Sequence, residues 1–238
     1  MSTLRKSLLL HGGVLALLFV LQFVLPAYHH GVFARVMVMA SYAIGYNILF
    51  GYTGLLSLGH AMFFAAGMYG MALSIAYLDA SPAVALISGV VAGIVLSAIV
   101  AGLALRTVGV AFMIVTLMFA QAGYLTILYY GEYTRGDEGI EIQQAQRILW
   151  GIARMLGYNV FAHKWAAVVL SGALSAAAGA FYGLLFGYAG ASFASVQYSI
   201  FPLLWVLLGG AGTVLGPLVG TLFMFYLIDL SSGITTAH

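Results

Sequence analysis

Polar positions are scarce along this chain and gather in clusters that cut it into long apolar runs. After a polar start with Arg5 and Lys6, residues 7–28 are apolar except for His11, Gln22 and Pro26. Further runs cover 36–50, 61–77, 83–105, 108–130 and 166–188, and a last pair, 199–208 and 214–230, is separated by glycines. A helix needs about 20 apolar residues to cross the hydrocarbon of a bilayer. The pattern therefore predicts an all-α, polytopic membrane protein with about six or seven transmembrane helices, residues 199–208 being too short to cross alone. Residues 7–28 exceed the apolar stretch of a signal peptide and lack a small-residue cleavage site. They read as the first span, with the basic N-terminus in the cytoplasm. Residues 26–35 read as a short external loop, in which the adjacent His29 and His30 cannot face one metal as residues a helical turn apart can. Asp79, Ser81 and Pro82 form a tight connection, and Arg106 marks a cytoplasmic span end.

Two interruptions break this pattern with glycine and hydroxyl groups. The first lies within 51–70, GYTGLLSLGHAMFFAAGMYG. Inside a membrane every backbone N–H and C=O needs a partner, so unwound chain survives there only when buried in protein or lining a watery path. Gly51, Gly54 and Gly59 allow unusual dihedrals and close approach, while Thr53, Ser57 and His60 can bond the freed groups. The alternative is a short loop between two spans, with Gly67 and Gly70 packing helices together. The second interruption is 209–213, with Gly209, Gly210 and Gly212. An interrupted segment in each half points to a transporter with its path near mid-membrane, although no residue-by-residue repeat is visible. Gln121 either lines such a path or bonds across to a neighbouring helix. Small residues recur at helical spacing at Gly89, Gly93 and Ser97 and at Gly172, Ala176, Gly179 and Gly183, marking two close-packing faces.

Residues 131–164 differ, holding four of the six acidic and four of the eight basic residues. Within them Ile142, Ala145, Leu149, Ile152 and Leu156 follow helical spacing with Gln143, Arg147 and Arg154 opposite, which predicts an amphipathic helix closed by Gly157. It would lie on the lipid surface or on a partner protein. The whole chain reads as one membrane domain, 1–238: a first helical group over 7–130, the polar loop 131–164 and a second group over 165–238.

Composition narrows the chemistry. Of 238 residues, 63% are hydrophobic and 6% charged, against roughly 25% charged in a soluble domain, and the mean hydropathy is +1.08. The chain has no cysteine, which removes disulfides and thiolate chemistry. A scattered net charge of +2 gives no footprint for nucleic acid. Asp79 and Asp229 lie near span ends, and no serine–histidine or paired-carboxylate arrangement accompanies His60, so an intramembrane enzyme with His60 as general base is disfavoured. An ion-coupled secondary transporter would want acidic groups inside the spans, and none is central.

Residues 41–70, with Tyr46-Asn47-Ile48-Leu49-Phe50 leading into Gly51-Tyr52-Thr53-Gly54-Leu55-Leu56-Ser57-Leu58-Gly59-His60-Ala61, resemble the permeases of branched-chain amino acid ABC transporters and their urea and amide relatives. Met155-Leu156-Gly157-Tyr158-Asn159-Val160-Phe161 with 170–174, and 207–217 around Gly209-Gly210-Ala211-Gly212-Thr213, resemble two further stretches of that family in the same order. The resemblance implies an inner-membrane, multi-pass bacterial permease subunit that moves substrate by alternating access. It also implies a second homologous permease subunit, two cytoplasmic ATPase subunits and a periplasmic or extracellular substrate-binding protein. Ala153, Arg154, Met155, Leu156, Gly157 and Tyr158 would form the coupling segment held by the ATPases. No GxxxxGK[ST] motif is present, so ATP would be hydrolysed by the partners and no cofactor bound by this chain.

The sequence departs from the family pattern in three places. No carboxylate precedes the coupling segment at 149–152, no span separates Gly139 from Arg147, and the chain ends at His238 shortly after a span. Five crossings from a cytoplasmic N-terminus put all of 131–164 outside, with Arg35, Arg135, Arg147, Arg154 and Lys164 on that side against Arg5, Lys6 and Arg106, the reverse of the usual bias. The leading expectation is a permease subunit for branched-chain amino acids or similar small polar solutes; the alternatives are an ion-coupled secondary transporter, or a permease remnant that has lost an internal span and its C-terminal end and does not transport.

Overall fold

A computed structural model describes residues 13, 27–136, 138–142 and 160–235. The helices are α1 (Ala27–Asn47), continued by a π-helical turn over Ile48–Tyr52, α2 (His60–Leu78), α3 (Pro82–Ala104), α4 (Val110–Tyr129), the single turn α5 (Gly131–Thr134), α6 (Val160–Phe186), α7 (Val196–Gly209) and α8 (Gly216–Thr235). A short antiparallel ribbon pairs β1 (Ile140–Glu141) with β2 (Tyr188–Ala189), Ile140 opposite Ala189. Among the described residues five helical segments are long and apolar enough to span a membrane: Gly31–Tyr52, His60–Leu78, Pro82–Ala104, Val110–Tyr129 and Ala167–Phe186. The expected first span, 7–28, lies almost wholly outside the described residues.

Where helices end, the sequence supplies a reason. α2 closes on Asp79 in the left-handed region (φ 47°), whose N–H bonds the Ser74 carbonyl. Ser81 precedes Pro82 at the first position of α3, where a missing N–H costs nothing. Gly109 turns with φ +59° into α4. One boundary differs from expectation: residues 27–35, read as a loop, form the opening turns of α1. Their polarity suggested a loop, yet no proline breaks 27–35, and polar side chains at a span end are tolerated at the lipid interface.

α2, α3 and α6 form the centre of the bundle through small residues. A Cβ on Gly93 would overlap that of Ala176, one on Gly172 would overlap Ser97, and one on Gly89 would meet the Gly67 carbonyl and, at 3.0 Å, Ala180. The two small-residue faces predicted from spacing thus pack on each other, and the pairings 89–180, 93–176 and 97–172 run antiparallel. Without a hydrophobic drive inside lipid, such close backbone contact is what holds spans together. Among the described residues α2 is the most buried span, 67% of its apolar window lying inside, whereas α4 is only 17% buried and presents Val110, Ile114, Met118, Leu125 and Tyr129 outward.

The ribbon fixes the topology. β1 pairs with β2 directly after the end of α6, and the Ile142 N–H extends the pairing to the Gly187 carbonyl at 2.9 Å. Ile142 is buried and belongs to the ribbon rather than to the amphipathic helix expected to start there; residues 143–156 of that helix lie outside the described residues. Val160 begins α6, 27 residues and about 40 Å from its other end. Residues 142 and 160 therefore sit at opposite ends of the bundle. The count that put all of 131–164 at one end is corrected at its two described ends, Ile142 and Val160; the residues that join them lie outside the described ones.

Candidate functional site

The first interruption is built from a run of hydrogen bonds that replace the helical ladder. The π-turn after Asn47 widens the helix, Thr53 Oγ1 donates to the Leu49 carbonyl, and Gly54 (φ +68°) reverses the chain. Its N–H bonds Phe50 O at 3.0 Å and the Leu55 N–H bonds Leu49 O at 3.2 Å, a glycine cap of the Schellman kind widened by one residue. Beyond it the chain is irregular as far as Gly59. The Ser57 carbonyl accepts from Tyr46 Oη at 3.0 Å, the Leu58 N–H donates to Thr116 Oγ1 at 3.3 Å, and the Gly59 N–H donates to Ser57 Oγ at 3.2 Å. At the start of α2 the Ala61 N–H is capped from α7 by Ser199 Oγ at 2.9 Å. A side chain on Gly59 would overlap the Thr116 carbonyl.

His60 lies at the centre of this packing and is fully buried. Its ring sits edge-on to Tyr46 at 4.9 Å and to Phe63 at 5.2 Å, with Tyr42 at 6.2 Å. Nε2 is 2.7 Å from Ser171 Oγ, and that hydroxyl also bonds the Gly45 carbonyl. A carbonyl can only accept, so Ser171 gives its single proton to Gly45 and Nε2–H must donate to Ser171. The ring is therefore the Nε2–H tautomer, and its Nδ1 is a buried acceptor with no hydrogen bond among the described residues. His60, Ser171 and Gly45 tie α2, α6 and α1 together. Among the described residues no three His, Asp or Glu side chains are placed to share a metal.

The second interruption uses Gly210 (φ +100°) and Gly212 (φ +77°). Thr213 Oγ1 donates to Gly210 O at 2.7 Å and accepts from the Gly216 N–H at 3.1 Å, closing the turn and capping α8. α7 and α8 pack at glycine distance, since a Cβ on Gly209 would strike Gly216 and one on Gly220 would strike Trp205 O.

The two interruptions meet on one side chain. Asn47, 2% exposed at the end of α1, donates from Nδ2 to Thr213 O at 2.7 Å and accepts at Oδ1 from the Gly212 N–H at 3.0 Å. Gly51 lies against the same amide and against Gly212, leaving no room for a Cβ. The family described as "Branched-chain amino acid transport system / permease component" matches residues 28–148 and 151–237. The chain belongs to that family. No curated protein and no solved structure matches it.

In this permease the expected path residues fall into two tiers. Ser57, Gly59 and His60 are buried in packing, whereas Gly51, Thr53, Gly54, Gly209, Gly210 and Gly212 are partly or fully exposed, with Gly51 and Gly212 against Asn47. Gln121 joins neither and lies on the exposed face of α4. Near it, a cavity of about 360 Å³ separates α2 from α4, lined by Met62, Ala65, Tyr69, Phe119, Gly123 and Thr126. The expected coupling residues Ala153 to Tyr158 lie outside the described residues. Sequence reasoning missed Asn47, Ser171, Ser199 and Thr116 as partners of the broken segments. Each is a polar residue inside an apolar run, so a signal existed, but their pairing over more than fifty residues did not show in the sequence.

Proposed function

We propose that this permease is the membrane subunit of an ATP-driven importer of branched-chain amino acids or similar small polar solutes in a bacterial inner membrane. The observation that carries the reading is the junction on Asn47. It makes two unwound segments from opposite halves of the chain into one polar element inside a bundle of spans, where transporters place their path. Gly, Thr and backbone groups there can receive a carboxylate, an ammonium or an amide, and selectivity is left largely to a binding protein that delivers the solute.

Orientation supports the same reading. Arg106, between α3 and α4, shares an end of the bundle with Val160, and Arg154 and Lys164 flank Val160 in sequence. The opposite end carries Asp79, Glu132, Glu138 and Glu141 with Arg35 and Arg135. With the first of these ends in the cytoplasm, the basic residues follow the usual bias and Ala153 to Tyr158 face the two ATPase subunits. ATP binding there would rock this subunit and a second homologous permease about their shared path.

The test is uptake by vesicles holding the intact chain with an ATPase, a second permease subunit and a binding protein. ATP-dependent leucine accumulation is the expected result. Uptake driven by an ion gradient without ATP would support a secondary transporter instead, and no uptake under either condition would support a permease remnant that does not transport.

A further inference from the structure

Arg35 is a cation without a counter-charge. It stands in the third turn of α1, exposed, with its guanidinium 4.9 Å above the Phe186 ring, and no carboxylate partners it among the described residues. It edges a cavity of about 200 Å³ between α1, α6, α7 and α8, whose walls include Tyr182, Tyr198, Phe201, Trp205 and Phe225. The hydroxyls of Tyr182 and Tyr198 make no hydrogen bond among the described residues. Arg35, Tyr182 and Tyr198 thus line one aromatic slot in which Trp205 stacks on Phe201 at 6.0 Å and meets Phe225 at 5.7 Å.

The depth of this slot is set by its neighbours. The same end of the bundle carries exposed Tyr77, Tyr129, Tyr130 and Tyr133, an aromatic belt of the sort that marks the headgroup level. Around the slot, α7 and α8 present exposed Leu204, Leu207, Phe223 and Leu227, a surface fit for acyl chains. A free amino acid would bring an ammonium group, and no carboxylate lines the slot to receive it. A phospholipid with a net negative headgroup brings only the anion and the apolar body. We propose that the slot under Arg35 is a binding site for an anionic phospholipid, its phosphate held by Arg35, Tyr182 and Tyr198 and one chain laid along Phe201, Trp205 and Phe225. Its lining residues are distinct from those of the junction on Asn47, so it stands independently of the transport reading.

Quenching by brominated lipid reads the site directly. In the full chain carrying Trp150→Phe and Trp165→Phe, Trp205 is the sole tryptophan. Vesicles of phosphatidylcholine with a rising fraction of dibrominated phosphatidylglycerol should quench it saturably at a low fraction, and dibrominated phosphatidylcholine should not. Loss of a charge-assisted bond predicts that Arg35→Gln needs about tenfold more phosphatidylglycerol for half quenching. Arg35→Lys, which keeps the charge and guards against a folding artefact, should stay close to the parent, as should Arg135→Gln at the same end of the bundle. Equal quenching by both lipids, or an unchanged midpoint in Arg35→Gln, would overturn the proposal. So would recovery of fluorescence on adding glycerol phosphate or leucine, since either would assign the slot to a free anion or to substrate.

Discussion

Replacing Asn47 by alanine removes one amide and two hydrogen bonds, at 2.7 and 3.0 Å, and leaves the Gly212 N–H and the Thr213 carbonyl without those partners. Hydrogen bonds between membrane helices average ~0.6 kcal/mol and reach ~1.7, so the pair contributes about 1–3 kcal/mol. Asn47 is nearly sealed from solvent, which favours the upper part of that range, because a group left unpaired in a protected site keeps its desolvation cost. Two measurements check the figure. Thermal unfolding of the purified chain in detergent should shift downward in Asn47→Ala, and hydrogen exchange at the Gly212 amide should quicken by about tenfold or more, since 1.4 kcal/mol is a factor of ten in an equilibrium constant. Asn47→Asp keeps an acceptor for the Gly212 N–H but puts a carboxylate against the Thr213 carbonyl, so it should not restore stability. If Gly212 exchanged at the same rate in Asn47→Ala as in the parent, the two interruptions would not be held as one element and the reasoning behind the proposed path would fail.

Other consequences are open to test. Gly59→Ala should lower the yield of folded protein sharply, because its Cβ meets the rigid Thr116 backbone, whereas Gly54→Ala meets nothing within 4 Å and should cost only the ~1–2 kcal/mol of a left-handed residue. Ser171→Ala should let His60 exchange between ring tautomers, visible in the nitrogen shifts of a ¹⁵N-labelled sample as loss of a pure Nε2–H pattern. Because the chain has no cysteine, single cysteines at Glu141 and Lys164 can be labelled in intact cells, and they should react from opposite sides of the membrane; reaction from the same side would refute the placement of Ile142 and Val160 at opposite ends of the bundle.

Much of the fold was legible because long apolar runs under lipid leave few choices. The helices α2, α3 and α4 match their predicted runs closely, α6 begins before its run, and the faces at Gly89–Gly93–Ser97 and Gly172–Ala176 are close-packed as their spacing suggested. Gly54, Gly210 and Gly212 do take positive φ, so the glycines of the interruptions were informative. Long-range partnership was not legible. Asn47 sits 165 residues from Gly212 and Ser199 lies 138 residues from Ala61, and a single polar residue in an apolar run gives no sign of its mate. Polarity misled twice in the same way. Residues 27–35 looked like a loop and Ile142 looked like the start of an amphipathic helix, because periodicity reports solvent contact and a two-residue ribbon is too short to have a period of its own.

The ribbon between Ile140–Glu141 and Tyr188–Ala189 also constrains biogenesis. It joins segments separated by the whole of α6, so while the ribosome is still making that helix the hydrogen bonds of residues 140–142 to the ribbon cannot form. The pairing therefore closes only after α6 is complete, and it ties the segment before α6 to the helix's far end, so β1 acts as a clasp on a helix it precedes in sequence.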